Sequence, residues 1–103
     1  MNNFAIMHDI KRLKTELIPQ DRLVLFGSRA RGDARKDSDW DMLMVLHKDR
    51  ITSQDFDDYA YPFVELGWSK GEYFSMKLYT DKEWAKREGT PFYINVESEG
   101  IDL

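Results

Sequence analysis

The sequence predicts an α/β (α+β) fold, a small mixed sheet of three or more strands flanked by helices. Three observations carry this. Two apolar runs, Leu23-Val24-Leu25-Phe26 and Met42-Leu43-Met44-Val45-Leu46, lie either side of a polar connector, as buried strands do. The segment from Glu72 to Tyr79 alternates, with Phe74, Met76 and Leu78 on one side and Tyr73, Ser75, Lys77 and Tyr79 on the other, as in a half-buried strand. Elsewhere apolar residues recur at helical spacing. With 103 residues, 42% of them hydrophobic and 14% aromatic, the chain can bury one core and is expected to form a single domain over residues 1–103.

In chain order, Phe4, Ile6, Met7, Ile10, Leu13, Leu17 and Ile18 recur at steps of three and four, so a helix capped by Asn2 or Asn3 should run up to Pro19. The first strand is expected over Leu23 to Phe26, ended by Gly27, with a short helix from Ser28 to about Ala34 and a polar loop to Ser38. Trp40 to Leu46 reads as the second strand. Thr52 or Ser53 can cap a helix carrying Phe56, Tyr59, Ala60, Phe63, Val64 and Trp68, with a kink or break at Pro62. Thr80-Asp81-Lys82-Glu83 has capping-box spacing, and Thr90-Pro91 should open a last helix that runs through Phe92, Tyr93 and Val96 to Gly100. Ile101-Asp102-Leu103 is expected as a loose end or a partner contact. No repeat or linker interrupts the chain.

Charge and composition narrow the function. Fifteen Lys and Arg against 19 Asp and Glu leave a net −4, so the surface repels nucleic acid on average. Lys11, Arg12, Arg29, Arg31, Arg35 and Lys36 could attract a triphosphate but are too few for a nucleic-acid track. Without cysteine there is no disulfide framework, thiolate nucleophile or Cys-based zinc site, and His8 and His47 have no ligand spacing. The N-terminus lacks the basic start and apolar run of a signal peptide, and nothing approaches the ~20 apolar residues of a membrane span. A cytoplasmic protein is therefore expected.

The stretch from Gly27 to Asp41, G-S-R-A-R-G-D-A-R-K-D-S-D-W-D, sits between the first two strands. Asp39 and Asp41, two apart on the second strand, should face the same way with Cα atoms roughly 6.5 Å apart, a spacing at which two carboxylates can share a divalent cation. Gly27 can bring backbone close to a ligand, and Ser28 stands where a helix start offers free N–H groups to a phosphate. For both features to meet one ligand, the two strands must run antiparallel. The plainer reading is a turn with a helix cap and a turn acid. Against it, Asp41 opens a strand of five apolar residues, where a carboxylate is costly unless a cation faces it. Arg31-Gly32-Asp33 is read as a coincidental adhesion tripeptide.

Gly27-Ser28, ten residues, then Asp39-x-Asp41 resembles the active-site motif of the DNA polymerase β-like nucleotidyltransferases. The short chain resembles their minimal MNT-type branch, whose members often accompany HEPN-domain partners. The resemblance implies that Gly27 and Ser28 contact the triphosphate and that Asp39 and Asp41 hold Mg²⁺, with Arg29 or Arg31 helping to bind the phosphates. It implies transfer of a nucleoside monophosphate, most simply AMP from ATP, to a hydroxyl acceptor, here a HEPN-type toxin partner, as an antitoxin would.

Active members of that family commonly carry a third acid on a later strand, for which the inner-facing candidates are Ser75 and Lys77. Neither is an acid, and the nearest substitutes are Glu72 at the strand start and Glu65 on the preceding helix. The alternative function is therefore a catalytically impaired module that neutralises a partner by contact and keeps a residual nucleotide site. Three tryptophans and five tyrosines favour an aromatic interface, with homo-oligomerisation left open.

Overall fold

The computed structural model describes residues 3–103. The chain runs α1 (Asn3–Leu17), β1 (Arg22–Phe26), α2 (Ser28–Arg31), β2 (Trp40–Leu46), α3 (Ser53–Asp55), a π-helical turn (Phe56–Ala60), α4 (Tyr61–Ser69), β3 (Phe74–Thr80), α5 (Asp81–Lys86), α6 (Pro91–Glu99) and β4 (Ile101–Asp102). Asn2, one of the two expected caps of α1, lies outside the described residues. The four strands form one mixed sheet in the order β3-β2-β1-β4, flanked by helices. As expected, β1 and β2 are antiparallel, with Phe26 opposite Asp41, while β2 and β3 are parallel.

Strand alternation sends side chains to two cores. Leu23, Leu25, Trp40, Met42, Met44 and Leu46 meet Ile6 and Ile10 of α1 and Phe63 of α4 on one face. Val24, Leu43 and Val45 meet Trp84 of α5 and Val96 of α6 on the other. The continuous apolar runs of β1 and β2 thus bury both faces, as they must between two helical layers. No helix among the described residues is long and apolar enough to cross a membrane.

Local chemistry sets the boundaries. Thr52 and Asp55 close one capping box, and Thr80 and Glu83 a second, each exchanging side-chain and backbone bonds between the two residues. Pro62 has no N–H for the carbonyl four residues back, and the helix meets this with the π-turn just ahead of α4, where Pro62 falls in the first turn. The tail differs from expectation. Ile101 and Asp102 form an edge strand antiparallel to β1, pairing with Leu25 and Val24. Arg22 fixes it, donating to Asp102 at 2.8 Å and to both oxygens of Glu97 on α6 at 2.6 and 2.8 Å.

Candidate active site

Because Phe26 pairs with Asp41, the residue after β1 turns back over the first carboxylate of β2. That residue is Gly27, at φ 73° and ψ −158°, a conformation that residues with a Cβ essentially never adopt. A Cβ there would sit 2.5 Å from Asp41 Oδ2. Glycine is therefore required twice, by the dihedrals and by the carboxylate.

Gly27 also caps α2, its carbonyl accepting from the N–H groups of Ala30 and Arg31. Ser28 is thus the first helical residue, where the expected helix begins, but the helix ends at Arg31, capped by Gly32, short of Ala34. The N–H groups of Ser28 and Arg29 have no partner among the described residues, so two donors are free at the mouth of the turn.

Asp41 is half-buried at the head of β2, on the face that carries Leu43 and Val45. Burial pushes its carboxyl above the ordinary aspartate range, and the negative charge of Asp39 pushes it the same way, with Lys77 and Arg31 opposing. Asp39 stands one residue ahead of β2 and is exposed, so it belongs to the loop rather than to the strand as expected. Its charge nevertheless reaches Asp41. Two like charges meeting at a half-buried point, with only oxygen donors, fit a hard divalent cation. No group of three or more His, Cys, Asp or Glu side chains able to hold a metal occurs among the described residues. The rest of such an ion's shell would have to come from water and phosphate, as is usual for Mg²⁺.

The parallel register puts Ser75 beside Asp41 and Lys77 beside Leu43, so both share the carboxylate face. Neither expected substitute joins them. Glu65 is exposed on α4, which covers the opposite face, and Glu72 lies 3.8 Å from Arg29. Among the described residues no third acid faces the pair, and the ammonium of Lys77 acts on Asp41 instead.

The two arginines of the motif part company. Arg31 bridges Asp33 at 3.2 Å and Glu99 of α6 at 3.4 Å, beside Gly27. Arg29 turns inward and donates to the backbone carbonyls of Ser38 and Lys36. Phe92, Asn95 and Glu99 of α6, none of them among the expected site residues, close a cleft of about 320 Å³ with Phe26, Gly27 and Arg31. That helix packs on β1 through Phe92 against Phe26 and Val96 against Val24. A larger cavity of about 950 Å³ opens on the α1 and α4 side, lined by Trp68 and Glu72 together with Arg29 and the Lys36-Asp37-Ser38 loop that leads into Asp39.

The strand-turn-helix thus sets backbone donors over Asp41, with the charge of Asp39 alongside, at one end of a mixed sheet. Residues 9–96 match the model of the nucleotidyltransferase domain family, and the chain belongs to that family. Its fold is that of the polymerase β-like nucleotidyltransferases. Among solved structures it resembles a toxin–antitoxin complex crystallised with AMP-PNP, at 18% identity and a TM-score of 0.62 over 92% of this chain and 69% of that one. A double aspartate-to-glutamate mutant of the toxin–antitoxin pair MntA–HpeT matches over the same shares, at 17% identity and a TM-score of 0.62. A candidate nucleotidyltransferase from Sulfolobus solfataricus matches at 18% identity and a TM-score of 0.52, over 99% and 87% of the two chains. A search of curated protein sequences finds no match.

Proposed function

We propose that residues 1–103 act as one cytoplasmic antitoxin-type nucleotidyltransferase domain that transfers a nucleoside monophosphate, AMP from ATP, to a hydroxyl group of a HEPN-type toxin partner. The observation that carries this reading is the closure of Gly27 over Asp41 with Asp39 alongside, which puts free backbone donors next to a paired carboxylate. The structural likeness to a toxin–antitoxin complex with AMP-PNP supports the nucleotide and the kind of partner.

In this reading Gly27 and the N–H groups of Ser28 and Arg29 hold the phosphates, with the Ser28 hydroxyl and the Arg31 guanidinium beside them. Asp39 and Asp41 would hold Mg²⁺, which supplies Lewis-acid polarisation of the phosphate and neutralises charge on the pyrophosphate leaving group. The half-burial of Asp41 lowers the local dielectric and would strengthen its electrostatic contact with a cation held there. Incubation with labelled ATP, Mg²⁺ and the co-expressed partner should label the partner. Absence of label, with nucleotide binding intact, would remove the transfer step.

A second reading is favoured by Lys77, whose ammonium stands where a third acid would help. There the chain neutralises its partner by contact alone and keeps a residual nucleotide site. Neutralisation by an Asp39→Asn, Asp41→Asn double variant as complete as by wild type would select it.

A further inference from the structure

We infer that the Arg29 side chain is a positioning residue for the metal-binding loop and not a phosphate ligand. This rests on the assignment of Asp39 and Asp41 to the cation. Arg29 is the second residue of α2, the helix that carries the phosphate donors, yet its side chain is only 7% exposed. Its Nη2 donates to the carbonyl of Ser38 at 2.9 Å and to that of Lys36 at 3.2 Å, and Nε donates to Ser38 at 3.3 Å. The guanidinium carbon lies 5.0 Å from the centroid of the Trp40 ring, and Glu72 at the approach to β3 is 3.8 Å away.

Those contacts bracket one residue. Ser38 precedes Asp39, Trp40 follows it, and the same planar cation holds both. Asp39 needs such a clamp because it lies outside the ladder of β2, whose first bond on this side is from Trp40 N–H to the carbonyl of Tyr73 at 2.9 Å. Otherwise, among the described residues, the loop is hydrogen-bonded only to itself, through Ser38 N–H to the carbonyl of Arg35 and Arg35 N–H to the hydroxyl of Ser38. Trp40 is 1% exposed, and its indole N–H has no partner among the described residues, so the ring is held by packing against Phe74 and Arg29. One side chain therefore joins the phosphate helix to both flanks of the outer carboxylate.

The chemistry demands arginine. Its fork can serve two carbonyls while its face lies on an indole, whereas a lysine ammonium is a point charge that can do one or the other. Groups that orient metal ligands typically change metal affinity by about ten- to hundredfold when removed.

The test measures two things in Arg29→Gln and Arg29→Lys: ATP affinity with Mg²⁺ and with EDTA, and amide hydrogen exchange across residues 36–40. Arg29→Gln should lose about ten- to hundredfold in the Mg²⁺-dependent part of the affinity, keep its affinity in EDTA, and exchange faster at Ser38 and Asp39 than wild type does. Arg29→Lys should fall between them. Equal loss in Mg²⁺ and in EDTA would make Arg29 a phosphate ligand and overturn the inference, as would unchanged exchange in the loop. If wild type binds ATP without regard to Mg²⁺, the metal assignment fails by itself, and the exchange data still decide whether Arg29 holds the loop. If Arg29→Gln does not fold, Arg29→Lys supplies both readouts.

Discussion

The two faces of the sheet are built from the same strands to different ends. On the α1 and α4 face, β2 supplies Trp40, Met42, Met44 and Leu46 without interruption, and each is at most 2% exposed. On the α5 and α6 face, the same strand supplies Leu43 and Val45 but yields its first position to Asp41. The first face closes, and the second is left open at one end. That exchange of an apolar side chain for a half-buried carboxylate is unfavourable for folding. Stability should therefore reside mainly in the closed face and nucleotide binding in the open one.

The largest effect expected is on the closed face. Phe63 of α4 is fully buried there, and Phe63→Ala should cost about 3–5 kcal/mol of unfolding free energy, read by urea denaturation. A loss below ~1 kcal/mol would mean that this face is not the main core.

Gly27→Ala comes next, and it breaks both properties at once. The backbone strain should cost about 1–3 kcal/mol, and the new methyl group must displace the Asp41 carboxylate. ATP binding should be lost along with it. Wild-type affinity in a folded Gly27→Ala protein would remove the turn from the site.

Much of this contrast was legible in the sequence because it is written in local chemistry. The bounds of β2, the Thr80–Glu83 capping box and the antiparallel pairing of β1 with β2 follow from an apolar run, a Thr-x-x-Glu spacing and the need for one ligand to meet two strand ends. What escaped depends on distant partners. A strand of two residues has no alternation to read, so Ile101 and Asp102 gave no sign of pairing with β1. The inward turn of Arg29 was hidden because its acceptors are backbone carbonyls, which carry no residue signature.

Asp39→Asn and Asp41→Asn sharpen the comparison by acting on binding alone. Each should abolish the Mg²⁺-dependent part of ATP affinity, a larger loss than the ten- to hundredfold typical of groups outside the metal shell. Stability should change little, since Asp41 is held in an unfavourable setting. Equal affinity of wild type and the double variant in titration calorimetry would remove the cation from the open face.

Lys77→Asp tests one of the two positions, Ser75 and Lys77, at which the resemblance implies a third acid. Exchanging an ammonium for a carboxylate on the Asp41 face should raise Mg²⁺ affinity about tenfold or more, and metal stoichiometry with it. Unchanged metal binding would mean that Lys77 stands too far from the carboxylates to matter.

The smallest effect concerns the seam that holds the open face together. Glu97 of α6 accepts from both terminal nitrogens of Arg22 and, at 2.7 Å, from the indole N–H of Trp84, and Arg22 above all holds its carboxyl below the ordinary glutamate value. A lowered folded-state value means that the unfolded chain binds the proton more readily. The stabilisation is thus fully present above the ordinary glutamate pKa of about 4.5 and is lost as pH falls through the lowered value. Because the side chain keeps 30% of its exposure, solvent screens the pair, and Glu97→Gln should cost only about 0.5–1 kcal/mol at pH 7. The variant and wild type should become equally stable as pH drops well below 4.5, because both then present an uncharged side chain to Arg22. Urea unfolding at neutral and acid pH reads the difference directly. A gap between the two proteins that persists undiminished in acid would show that packing on Trp84, and not the charge on Glu97, ties α6 to β1.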